Sequence, residues 1–188
     1  MRIAPVILPW LWGVSKQPWV DTVVATVVTH RDEAAVAASA GFVGLLCELL
    51  GGGRESPVLG GPEGGSGLPA VSDPRWWPPT FLRYARTVET GAVYRPRSPF
   101  VSFAGALCDF VEQFVAPAVE AEKSPGEASQ EWHSGAYLLE TVPLVLLILA
   151  LYGSDPQEAL IRAVNDTYDN DTIAAIVGAA VGGPCYIG

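Results

Sequence analysis

Histidine, methionine and cysteine are scarce in this chain of 188 residues, which has two His, one Met and three Cys. Cys47, Cys108 and Cys185 lie far apart and odd in number, which argues against a structural zinc site and against a disulfide framework. A reducing cytoplasm is the expected compartment. Cys47 and Cys108 fall in apolar helical patterns and read as packing residues rather than nucleophiles. Positive charge is also short. Eleven Lys and Arg face 20 Asp and Glu, for a net charge of −9, and no basic stripe is visible. Nucleic-acid backbone is therefore not an expected partner. An anionic small ligand stays compatible, because a bound divalent cation inverts the local charge. A membrane span is lacking too. Val142 to Tyr152 is strongly apolar but well short of the roughly 20 residues that a bilayer needs. Met1 to Val14 mimics a signal peptide only loosely, since Pro5 and Pro9 interrupt it and no small-residue cleavage site follows.

What is present is a chain for a packed core. Apolar residues make up 49% and charged residues 16%, enough for a single domain over residues 1–188. Residues 1–28 read as apolar helical pieces broken by Pro5, Pro9 and Pro18. Thr29 or His30 opens a strong helix with Asp32 and Glu33 in its first turn, and Gly51-Gly52-Gly53 stops it. Residues 51–74 are rich in Gly, Pro and Ser and read as a loop. Trp76 and Trp77 follow, as a ligand shelf or as aromatic packing under that loop. A short helix is expected over Phe81 to Glu89, another from Pro99 to Val115, a polar loop over 120–130, and a long buried helix from Trp132 to Tyr152, bent or restarted near Pro143. Asp155-Pro156 is an N-cap with Pro at the first helical position. It opens an amphipathic helix to Val164. Ile173 to Val181 forms the last helix. No hairpin signature and no repeat is present, so the expected fold is all-α, a compact helical bundle.

The stretch Asn165-Asp166-Thr167-Tyr168-Asp169-Asn170-Asp171-Thr172 carries the most chemistry. Two carboxylates one residue apart, followed by a hydroxyl, stand at the mouth of a helix rich in Ala and Gly. Such oxygens suit a hard cation. They also suit helix capping, for which Asp, Asn and Thr are ordinary choices. His30, Tyr137 and His133 carry similar alternatives. A histidine at a helix start often hydrogen-bonds locally, a tyrosine on a buried helix is often core with a bonded hydroxyl, and His133 has no motif around it.

Four stretches in order resemble the ADP-ribosylglycohydrolase family. They are Met1-Arg2-Ile3-Ala4-Pro5, Thr29-His30-Arg31-Asp32-Glu33-Ala34, Ser134-Gly135-Ala136-Tyr137-Leu138-Leu139-Glu140-Thr141-Val142-Pro143, and Asp169-Asn170-Asp171-Thr172 with the helix that follows. The resemblance spans nearly the whole chain, apart from residues 51–74 and the extreme C-terminus. It implies an all-α bundle around a dinuclear Mg²⁺ centre and cleavage of the glycosidic bond that joins ADP-ribose to an acceptor. It implies Asp169, Asp171 and Thr172 as metal ligands. His30 and the stretch with Ser134, Gly135 and Tyr137 would then line the ADP-ribose pocket. The implied partner is an ADP-ribosylated protein or small molecule.

The family's metal centre also draws on an N-terminal Gly-Asp-rich segment and a Thr-Asp-Asp motif, and neither occurs in this sequence. The expectation is a family member with its N-terminal part missing and reduced or no activity alone, completed by that missing half or by a homo-oligomer. The alternative is a non-catalytic ADP-ribose-binding or scaffold module. A third reading is a purely structural helical domain whose acidic motif is a cap.

Overall fold

The computed structural model describes residues 4–10, 17–50 and 73–185. Met1 to Ile3 of the first family-like stretch and the greater part of the expected 51–74 loop lie outside those residues. A 3₁₀ segment, Ala4–Trp10, precedes helices α1 (Gln17–Thr29) and α2 (Glu33–Leu50). A 3₁₀ turn at Pro74–Trp76 leads into α3 (Trp77–Ala85). Helix α4 (Leu107–Phe110) runs through a π-helical turn (Val111–Val115) into α5 (Ala116–Glu120). Helices α6 (Pro125–Trp132), α7 (Leu138–Tyr152), α8 (Pro156–Asn165) and α9 (Asn170–Cys185) complete the bundle. Among the described residues the only β pairing is an isolated bridge between Tyr94 and Gly105. The architecture is all-α, as the periodicity implies. No described helix is long and apolar enough to cross a membrane.

Helix α7 is the axis of the molecule. It packs against α2, α3, α4, α5, α6, α8 and α9. Every residue from Leu144 to Ala150 is at most 3% exposed, so the helix is apolar on all sides because it has neighbours on all sides. Each fully buried Leu or Ile there contributes about 1.5–3 kcal/mol. Helix α3 lies unusually close to α2. A Cβ on Gly41 would fall 2.5 Å from the Phe81 ring, and one on Gly44 would fall 2.2 Å from the Tyr84 ring. These two glycines let both aromatic rings rest on the α2 backbone. Trp19 of α1 stacks on the same Tyr84 ring at 5.1 Å. Trp76 and Trp77 are 3% and 5% exposed, so they are core residues under α7 and not an open shelf.

Several boundaries differ from the sequence reading, each for an identifiable reason. Thr29 and His30 end α1 instead of opening α2; the His30 N–H donates to the Thr26 carbonyl at 2.7 Å. Asp32 is the residue that starts α2, its carboxylate accepting from the Ala35 N–H at 3.2 Å. The run Pro99 to Val115 is helical only from Leu107, because residues 91–106 form an extended strap stitched at Tyr94 and Gly105. Beyond Val115 the helix continues, with Pro117 directly after the π-helical turn at Val111–Val115. Residues 120–130 are not a loop throughout. Ser124 and Glu127 form a capping box and Pro125 opens α6. The predicted helix over Trp132 to Tyr152 is two helices separated by residues 133–137, with Pro143 inside the second.

Candidate functional site

The five residues from His133 to Tyr137 form the hinge on which the candidate site is built. His133 closes α6 at φ +65°, a left-handed conformation uncommon for a residue with a Cβ. The chain therefore turns sharply and delivers Ser134 into the interior, where it is 0% exposed. Its hydroxyl pairs with the Ser129 hydroxyl at 2.6 Å and accepts from the Tyr168 N–H at 2.8 Å. Its carbonyl accepts from the Asp169 N–H at 2.9 Å. Two stretches 35 residues apart in sequence are thus fastened backbone to backbone. The backbone of Asp169 is thereby fixed against the Ser134 carbonyl.

Asp169 itself is half-buried and begins α9, its carbonyl accepting from the Ile173 N–H at 3.0 Å. Its side chain does not cap the helix. One carboxylate oxygen, Oδ2, is occluded from solvent and has no hydrogen-bond partner. Other polar residues at helix starts behave differently. Asp155 accepts from the N–H groups of Gln157 and Glu158, Ser124 from Glu127, and Asp32 from Ala35. An occluded, unpaired carboxylate oxygen is costly. A cation or a donor supplied by a ligand is what such an atom lacks. Asp171 is exposed, in the first turn of α9, and accepts from the Thr172 N–H at 2.8 Å. Thr172 is half-buried beside it. The three side chains offer only hard oxygen donors, which fits Mg²⁺ or Ca²⁺. Among the described residues no group of three or more His, Cys, Asp or Glu gathers that could hold a metal by itself. The residues fit one flank of a hard-cation site.

On the other flank of the hinge stands Glu140, which is 1% exposed in the first turn of α7. Arg97, on the strap, grips it with two bonds, Nε to Oε1 at 2.7 Å and Nη2 to Oε2 at 2.6 Å. The Gly135 N–H adds a third donor at 3.1 Å. A Cβ on Gly135 would lie 2.7 Å from Oε2, so only glycine permits this approach. The Thr141 hydroxyl donates to the Gly135 carbonyl at 2.8 Å. The Arg97 guanidinium also lies over the Tyr137 ring, 5.2 Å from its centroid. Burial pushes the Tyr137 phenol above its ordinary value, and the nearby Asp32 carboxylate adds to the effect. At neutral pH it is a neutral donor.

Asp32 links the second stretch to this face. The Tyr94 hydroxyl donates to it at 3.0 Å and accepts from the Ala34 N–H at 3.1 Å. Burial raises the Tyr94 phenol as well. His30 is exposed, and its Nδ1 pairs with the neighbouring Thr29 hydroxyl at 2.8 Å. The structure therefore brings Ser134, Gly135 and Asp169 together directly. Tyr137 ends the hinge at the start of α7, close enough to Asp32 to feel its charge. His30 stands two residues before Asp32, engaged only with its neighbour. Sequence reading missed Arg97, Tyr94 and the role of Glu140. The signal for Glu140 was legible, since a lone acid on the helix Leu-Leu-Glu-Thr-Val-Pro-Leu-Val-Leu-Leu demands a partner. Nothing in the Arg95-Pro96-Arg97-Ser98 strap marks which arginine supplies it.

The family model for ADP-ribosylglycohydrolases matches residues 1–183. No curated protein and no solved structure is a significant match. With a match over nearly its full length, the chain belongs to the ADP-ribosylglycohydrolase family.

Proposed function

We propose that the chain binds the ADP-ribose group of an ADP-ribosylated protein or small molecule and hydrolyses its glycosidic bond with the help of a divalent cation, for which the family resemblance implies Mg²⁺. The observation that carries the proposal is the Asp169 carboxylate. It stands at a helix start, is withheld from capping, and keeps an occluded oxygen without a partner. Asp169, Asp171 and Thr172 would hold the cation, which would orient the sugar hydroxyls and the attacking water. Ser134 fixes the backbone that carries Asp169, Gly135 lies next to it in the hinge, and Tyr137 donates a hydrogen bond to the sugar–phosphate group. His30 lines the outer edge of the same face.

Two carboxylates and one hydroxyl leave much of a six-coordinate shell to water. Affinity for the metal is therefore modest and turnover by the chain alone is low. Calorimetric titration of ADP-ribose, with and without Mg²⁺, tests the reading. Binding that requires Mg²⁺ and disappears in Asp169→Ala/Asp171→Ala supports it. Binding indifferent to Mg²⁺ favours a non-catalytic ADP-ribose-binding module, a reading consistent with the small number of metal-ligating groups gathered among the described residues. Absence of binding in a folded sample refutes both.

A further inference from the structure

Arg97 belongs to none of the four family-like stretches, yet its guanidinium reaches the hinge at residues 133–137 through Glu140 and Tyr137. The hinge is held at two ends. Its N-terminal end is fastened by Ser134 to Ser129, Tyr168 and Asp169. Its C-terminal end is fastened by Glu140, a carboxylate 1% exposed at the start of an otherwise largely apolar helix. A buried carboxylate holds a fixed position only when its oxygens are paired. Here the pairing comes from the Arg97 fork at 2.7 and 2.6 Å and from the Gly135 N–H at 3.1 Å. The same guanidinium plane lies over the Tyr137 ring at 5.2 Å. One planar group thus sets both the carboxylate that anchors Gly135 and the face presented by Tyr137. Its side chain is 59% exposed, so it is not itself a core element.

We propose that Arg97 is a positioning residue for the candidate site. Acting through Glu140, its guanidinium fork holds Gly135 and Tyr137 in register with Asp169. The proposal rests on the ADP-ribose reading for its functional consequence, but not for its structural content. A lysine at position 97 still neutralises Glu140, yet it offers one point charge in place of a planar fork and does not stack on Tyr137 in the same way. If Arg97 serves only to neutralise a buried charge, lysine replaces it. If it positions, lysine does not.

The test is hydrogen–deuterium exchange on the full chain, comparing the native protein with Arg97→Lys and Glu140→Gln. Urea unfolding of each is measured in parallel. The expected result for Arg97→Lys is exchange at least about tenfold faster across residues 133–139, with α2 amides and the urea midpoint unchanged. Glu140→Gln keeps the shape of the side chain and removes the charge, and it gives the same local loosening even if Arg97→Lys folds poorly. Native-like exchange across the hinge in Arg97→Lys overturns the proposal. So does acceleration spread equally over α2 and α7, which marks a general stabilising pair. ADP-ribose titration then separates the two readings. Weaker binding by Arg97→Lys at unchanged stability extends positioning to the ligand, whereas no binding by the native chain removes the ADP-ribose reading and leaves the exchange result to decide the role of Arg97.

Discussion

Replacing Gly135 by alanine sets a methyl group 2.7 Å from Glu140 Oε2 and 3.1 Å from Arg97 Nη2. The two neighbours differ in how far they can yield. The Arg97 side chain is 59% exposed and swings outward easily. Glu140 is 1% exposed and held at both oxygens, so the hinge must move instead. Overpacking of this kind costs about 1–3 kcal/mol. The displaced Gly135 N–H weakens a bond to a charged acceptor, worth about 1.5–3 kcal/mol when intact. With that bond partly retained, the expected loss is about 2–4 kcal/mol. In a domain of this size that lowers Tm by roughly 8 °C. Gly126→Ala is the matched control, because its nearest neighbour, Asp166, is 3.9 Å away and the position is helical. Alanine there should raise stability by about 0.5–1 kcal/mol. Thermal and urea denaturation of both variants decides the matter. Gly135→Ala within about 0.5 kcal/mol of the native protein would refute the placement of Glu140 beneath the hinge.

Other outcomes follow from the same geometry. Ser124→Ala removes half of the capping box at α6 and should cost about 1 kcal/mol in urea unfolding. Glu33 accepts from Thr90, Gly91 and Ala92, and the Thr90 hydroxyl is the main reason its carboxyl lies below its ordinary value of 4.5. A depressed folded value means stability that is present above pH 4.5 and lost as pH falls through the lower folded value; Glu33→Gln should flatten the acid limb of a stability–pH curve. Burial raises the Cys47 thiol to about 11 and pushes the Cys108 thiol up as well. In a Cys185→Ser variant at pH 8, thiol reagents should modify the buried Cys108 only at the rate of unfolding, and the half-buried Cys47 faster than Cys108 but slower than a free thiol. Rapid labelling of Cys108 would contradict its placement in the core.

The extent to which the fold was readable in the sequence follows from where the signals are local. Helices α8 and α9 are opened by residues that announce themselves, Asp155-Pro156 and the Asp-rich stretch, and both were placed within a few residues. Helix α6 had its own sign, Ser124-Pro125-Gly126-Glu127, but Pro and Gly in that quartet suggested a loop while the capping box decided the structure. The hinge between α6 and α7 was hidden because Trp132 and most of Leu138 to Tyr152 are apolar, and the break between them is enforced by Ser134 bonding to a loop far along the chain. The strap at residues 91–106 is held by Glu33, Tyr94 and Glu89, the last capping α4 through the Leu107 and Cys108 N–H groups. These are long-range contacts that no local pattern records. For the candidate site, Asp169 and Ser134 were legible as residues. That the Asp169 carboxylate is withheld from its own helix is a property of the packing alone.

That withheld carboxylate is tested most directly by the thermal stability of native protein and Asp169→Ala, each with and without Mg²⁺. If the carboxylate awaits a cation, alanine should cost nothing in metal-free buffer, since it removes an occluded oxygen that has no partner. Mg²⁺ should then raise the Tm of the native chain only. If the residue is an ordinary cap, alanine should cost about 1 kcal/mol without metal and Mg²⁺ should move neither protein, which would contradict a cation site at Asp169.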